Sequence, residues 1–281
     1  MPHWTEKLPY VGRLISADKV EVDPSRLQPF LNAIAPYDKA SLRSYLGSIN
    51  WFIPFVPGLG VFAGSLYELM RKDTPFKWTA QHQQLFELIK NRISNPSPLA
   101  YPNPALQKVL RTDASRRGIA GVLYQICDNA STEFIAFFSR KLSPAETKYA
   151  TIELEALAVV WCLERCKQFV IYNLLIYTDH SNLSFLKASQ NPRLLRWSLK
   201  LNEFDASIIY LPVRTNFLAD YMSRAFESSD FSSLNVIQVN VVKVIDTPEV
   251  ALDDLKNYFL NYLLPVMEKD HTFFRTPLLK C

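Results

Sequence analysis

Four acidic residues are distinguished by the company they keep. Asp113 closes an apolar run in Arg111-Thr112-Asp113-Ala114-Ser115, and Asp179 ends another in Ile176-Tyr177-Thr178-Asp179-His180. Glu155 lies in Thr151-Ile152-Glu153-Leu154-Glu155-Ala156-Leu157-Ala158, a stretch with helical spacing, and Asp220 follows Asn216-Phe217-Leu218-Ala219. Acids placed where buried elements emerge can converge on one spot. Carboxylates brought within a few ångströms repel and raise one another's pKa unless cations intervene. Hard oxygen donors suit Mg²⁺, and two such ions about 4 Å apart can activate a water and stabilise the leaving oxygen of a phosphodiester. The chemistry implied is metal-assisted phosphoryl hydrolysis. Glu153 competes with Glu155 for the helical position; the two lie about 200° apart on an α-helix, so only one can face the other acids.

Around these acids lie groups suited to a polyanion. Arg116-Arg117 mark a turn beside Asp113, and Arg193, Arg196 and Lys200 with Trp197 form a basic, aromatic helical surface. Such a surface can contact phosphates and stack on sugar or base, or it can be a solvated face with Trp197 buried. His180 adjoins Asp179 and either shuttles a proton or shapes the following helix. Cys162 and Cys166 sit four apart, half of a zinc site, and without a second pair they read as packed thiols.

The elements that must carry these residues follow from periodicity. Runs near Gln107–Asp113, Ile119–Ile126 and Glu133–Ser139 are rich in β-formers and separated by polar or glycine-bearing links, which predicts an antiparallel meander. Ser143, Pro144 and Glu146 form a capping box that predicts the start of a long helix with Leu154, Leu157, Ala158 and Trp161 as its core stripe. A strand over Leu174–Thr178, helices from about Ser181 and across Leu194–Glu203, a strand over Ala206–Leu211 and a helix near Phe217–Ala225 complete the order β-β-β-α-β-α-β-α. Upstream, Leu42, Tyr45, Leu46 and Ile49 share one helical face, and Thr79 caps a helix carrying Leu85, Leu88, Ile89 and Ile93. Trp51, Phe52, Phe55, Trp78 and Phe86 read as the core of this helical unit. Four prolines between Pro96 and Pro104 remove backbone donors and predict a seam.

Composition sets the limits. The chain has 281 residues, 48% of them hydrophobic, which can fill real cores. No apolar run reaches the roughly 20 residues of a membrane span, and the first residues carry no signal-peptide pattern. Four cysteines at irregular intervals suit a reducing, intracellular compartment rather than a disulfide scaffold. The net charge of +4 averages two unlike regions: residues 225–281 hold 5 Lys+Arg against 8 Asp+Glu, which leaves +7 for residues 1–224.

The motifs LRTDAS (110–115), GIAGVLYQ (118–125), FFSRKLSPAETKYATIELEALAVVWCLE (137–164), YTDHSNLSFL (177–186), RLLRWSLKLNEFDASIIY (193–210) and NFLADYMSR (216–224) resemble the ribonuclease H domain of gypsy-type LTR retrotransposon reverse transcriptases. YVGRLIS (10–16), LRSYLGSINWFIPFVP (42–57), LYELMRKDTPFKWT (66–79) and SPLAYPNP (97–104) resemble the end of that family's polymerase. The resemblance implies an α/β fold, a ribonuclease H-like mixed sheet preceded by a small, mainly helical thumb and connection region. Its expected divisions are a trailing palm edge, thumb and connection over 1–95, a Pro-rich linker over 96–106, the ribonuclease H-like domain over 107–225 and a tail of open role over 226–281. It further implies that Asp113, Glu155, Asp179 and Asp220 hold two Mg²⁺ ions, with Mn²⁺ as a substitute, and cleave the RNA strand of an RNA–DNA hybrid. Glu155 is favoured over Glu153 because the family's ligand directly precedes the Leu/Ala-rich stretch. The rest of a Pol polyprotein is the implied partner. Two departures accompany the likeness. The family polymerase's Tyr/Phe-x-Asp-Asp motif does not occur, so no copying of nucleic acid is expected, and Pro212-Val213-Arg214 stands where the family has Pro-Gly-Lys. The competing expectation is an inert remnant or a co-opted module that binds nucleic acid or protein.

Overall fold

In a computed structural model, residues 7–129, 131–169, 174–178, 191–210, 219 and 222–223 are described. The chain opens with three short strands, β1 (Leu8–Tyr10), β2 (Arg13–Ile15) and β3 (Lys19–Val22), joined as an antiparallel meander. Val11 and Gly12 make the first turn with φ of 49° and 76°, the left-handed pair that a tight hairpin requires. Four helices follow: α1 (Pro24–Leu31), α2 (Lys39–Phe52), α3 (Leu59–Gly64) and α4 (Ala80–Ile93). Asp38 caps α2 by accepting the Ser41 N–H at 2.7 Å, and Thr79 caps α4 as its sequence predicts. Leu42, Tyr45, Leu46 and Ile49 all turn inward, with Phe52, Phe55 and Phe86 between the helices.

The Pro-rich segment carries β4 (Leu99–Ala100), which pairs with Lys19 and Val20 and closes the first sheet. Its far end is fastened to the second sheet. The buried Lys108 ammonium donates to the carbonyls of Asn103 and Leu106 at 2.7 and 3.0 Å, and the Gln125 amide accepts from the Asn103 N–H and donates to the Tyr101 carbonyl.

The second sheet holds β5 (Gln107–Ala114), β6 (Gly118–Ile126), β7 (Thr132–Lys141), β8 (Leu174–Thr178) and β9 (Ala206–Tyr210) in the order β7-β6-β5-β8-β9. β5, β6 and β7 form the predicted antiparallel meander, whereas β8 and β9 run parallel to β5. Parallel neighbours need a crossover. α5 (Thr151–Cys166) lies between β7 and β8, and α6 (Pro192–Leu201), capped by Asn191, lies before β9. Ala156, Val159, Cys162, Leu163 and Cys166 of α5 meet Leu110, Leu123, Ile135, Leu174 and Ile176 in one core. A Cβ on Gly121 would sit 2.5 Å from the Cys162 sulfur, so the close approach of α5 to β6 needs glycine there.

Two expectations change. Ser143 and Glu146 do exchange the capping-box hydrogen bonds, but they close one 3₁₀ turn at Glu146–Lys148. Tyr149 then returns to an extended conformation, and α5 starts at Thr151 with the Ala150 N–H donated to Glu153. A capping box reports the start of a turn, not its length. The region before the seam is mainly helical, as expected, and also contains β1–β3. The expected helix from Ser181 and the tail elements over 226–281 lie outside the described residues.

The two regions meet at β7, an edge strand buried on both faces from Ile135 to Ser139. α3 lies against it, and the Gly60 N–H donates to the Ser139 hydroxyl at 2.9 Å. A Cβ on Gly60 would land on the Ser139 carbonyl oxygen, and one on Gly64 would come within 2.6 Å of the Lys141 side chain.

Candidate active site

Asp113 sits near the end of the central strand, paired across β6 with Ala120, and is 1% exposed. The Ser223 hydroxyl donates to Asp113 Oδ2. Ser115, two residues on, donates to the Ser223 carbonyl at 2.7 Å and accepts the Arg117 and Gly118 N–H groups at 3.1 Å each.

Glu155 is 4% exposed and shares the sheet-facing stripe of α5 with Ala158, Val159 and Cys162. Glu153 looks elsewhere. Its carboxylate accepts from the Ala150 N–H at 3.0 Å, from Asn191 Nδ2 at 3.0 Å and from Arg193 Nη1 at 2.8 Å. Burial works against the charged form of Glu153, yet these donors together outweigh it and hold the carboxyl below its usual range.

β8 lies beside β5 in parallel register, with Arg111 opposite Tyr177, and Thr178 is fully buried. Asp179, Asp220 and His180 lie outside the described residues. Among the described residues no group of three His, Cys, Asp or Glu is arranged to hold a metal ion. The two described acids nevertheless suit one in their donor chemistry: buried carboxylates demand compensation by pairing or by a cation, and their oxygens are the hard donors that Mg²⁺ prefers.

The basic residues divide by what they touch. Arg193 is bound to Glu153 and lies 3.9 Å over the Tyr149 ring. Trp197 is half-buried against the α5 core, and Lys200 pairs with Glu164. Arg196 is exposed, with its Nε donating to the Pro192 carbonyl at 3.3 Å. Arg116 and Arg117 are exposed on the turn between β5 and β6. Cys162 and Cys166 are fully buried, and burial pushes both thiols up, away from the thiolate that zinc needs. Ser115 and Ser223 were invisible as site residues in the sequence, because their partners are fixed by contacts across more than a hundred positions.

A mixed sheet of this order, with one acid at the end of its central strand and another on the helix that crosses it, is a ribonuclease H-like fold. Residues 78–176 match the family described as the RNase H-like domain found in reverse transcriptase. The chain is 29% identical over 228 residues to the transposon Tf2-3 and Tf2-4 polyproteins of Schizosaccharomyces pombe. The match covers 79% of this chain and 17% of each relative, so the chain spans about a sixth of the length of the curated relatives it matches. In structure it is similar to the foamy viral protease-reverse transcriptase in complex with RNA/DNA hybrid (TM-score 0.64, 18% identity, 74% of this chain and 29% of that one). It is equally similar to the same protein in complex with dsDNA (TM-score 0.64, 18% identity, 74% and 45%). No helix among the described residues is long and apolar enough to cross a membrane.

Proposed function

We propose that residues 107–225 form a two-metal ribonuclease H of the gypsy type that hydrolyses the RNA strand of RNA–DNA hybrids within a longer Pol polyprotein. The observation that carries this reading is the register of the two central parallel strands. Arg111 pairs with Tyr177, and Asp113 and Asp179 each follow two residues later. Support also comes from Glu155 buried on the crossing helix and from Ser223, three residues beyond Asp220, bonded to Asp113.

In this reading Asp113, Glu155, Asp179 and Asp220 would hold two Mg²⁺ ions, with Mn²⁺ able to substitute. When bound, the ions supply Lewis acidity to both the attacking and the leaving oxygen. Arg116 and Arg117, on the exposed turn two residues past the Asp113–Ala114 strand end, engage the hybrid backbone, and Arg196 and Lys200 do so from α6. Substrate choice rests on hybrid shape and 2′-hydroxyl contacts rather than on base reading. Polymerase activity is not part of the proposal, since no Tyr/Phe-x-Asp-Asp motif occurs.

The chain with Mg²⁺ or Mn²⁺ should cut the RNA of a labelled hybrid, and Asp179→Asn should abolish cutting. Cutting that survives this substitution removes the assignment. Val213, in the place of the family's glycine, favours the second reading of a co-opted binding module. Salt-sensitive hybrid binding without cleavage in either metal would select it.

A further inference from the structure

We infer that Ser223 is a positioning residue for Asp113, held in place by Ser115, and that this pair of serines sets the affinity of the site for its divalent cation. The inference rests on the reading of Asp113 as a metal ligand.

All three side chains are sealed from water: Asp113 is 1%, Ser115 6% and Ser223 0% exposed. Buried hydroxyls are retained where their hydrogen bonds are met. A serine has one proton to give, and Ser223 gives its proton to Asp113 Oδ2. Ser115 gives its own to the Ser223 carbonyl at 2.7 Å, a closer acceptor than the Gly118 carbonyl at 3.3 Å. The oxygen of Ser115 is itself pinned by the Arg117 and Gly118 N–H groups of the β5–β6 turn. The result is a closed relay from the strand carrying Asp113, through its own turn, to a distant backbone and back to the same carboxylate.

A carboxylate with one oxygen claimed by a fixed donor cannot rotate freely about its last bond. Ligands oriented in this way bind metal more tightly than loose ones, and loss of such an outer partner typically costs about 10–100-fold in affinity. The relay also joins two parts of the chain that the sequence separates by more than a hundred residues, so it sets the relation between Asp113 and the segment that follows Asp220.

The test is Mn²⁺ binding to the full chain, read by electron paramagnetic resonance of the free ion, with the metal-free melting temperature as the check on folding. Asp113→Asn should abolish binding at the site, and Ser223→Ala should weaken it by about 10–100-fold while leaving hybrid affinity in EDTA unchanged. Loss in Asp113→Asn with unchanged binding in Ser223→Ala overturns the positioning role alone. Unchanged binding in Asp113→Asn overturns the site reading, and the inference falls with it. If Ser223→Ala does not fold, Ser115→Ala decides, since it keeps the Ser223 hydroxyl but frees its backbone. Mn²⁺ binding about 10-fold weaker in Ser115→Ala supports the relay, and unaltered binding overturns it.

Discussion

Glu153 and Glu155 occupy neighbouring positions on one helix and meet different surroundings. Glu153 is engaged by Ala150, Asn191 and Arg193, which ties the start of α5 to the start of α6, while Glu155 faces the sheet. Replacing Glu153 by Gln should therefore lower stability by about 1–2 kcal/mol, a charged hydrogen bond discounted because Arg193 is one-third exposed, and should leave cleavage intact. The pH dependence has a definite sign. A carboxyl held below its usual 4.5 contributes stability above that value and loses it as pH falls through and below it. Thermal melts of the parent should fall more steeply below about pH 4.5 than those of Glu153→Gln; parallel curves would contradict this account. Asp113 and Glu155 stood out as candidates in the sequence because one closes an apolar run and the other lies in a stretch with helical spacing. The use made of Arg193 was not, because its partner lies 40 positions away and only folding brings them together.

Elements with strong local signals were read correctly. The Thr79 cap, the apolar stripe of α2 and the β5–β7 meander each rest on side-chain periods that act within a few residues. The β1–β3 sheet escaped because strands of three or four residues are too short to display a period, and the start of α5 was misplaced because a real capping box serves a separate turn. Glycines give a test of the packing between elements. Gly60→Ala should destabilise by about 3 kcal/mol, as its new methyl meets the Ser139 backbone. Gly47→Ala, in the middle of α2 with open space around the new methyl, should instead stabilise by about 0.5–1 kcal/mol. Chemical denaturation of both variants checks the contrast, and equal effects would contradict the assigned α3–β7 contact.

Among the described residues, the segments on either side of the prolines are joined by α3 seated on β7 and by the Glu68–Lys141 ion pair, and β4 of the Pro-rich segment pairs with β3. Seated on the backbone at Ser139, α3 covers part of an edge where another chain could add, and it couples the helical region to the second sheet. Amides of α2 and of β6 should then lose protection together in native-state hydrogen exchange, whereas release of α2 at much lower denaturant would show two independent bodies. The contacts between the segments before and after the prolines involve glycine and backbone atoms, which carry no hydropathy signal.

In the proposed reading, buried acids from separate elements form one hydrolytic centre. Cleavage of a labelled RNA–DNA hybrid by the chain in Mg²⁺, compared with Glu155→Gln and Glu153→Gln, tests it most directly. RNA-strand cutting should stop in EDTA, vanish in Glu155→Gln and persist in Glu153→Gln. Cutting that persists in Glu155→Gln, or that vanishes only in Glu153→Gln, would contradict it.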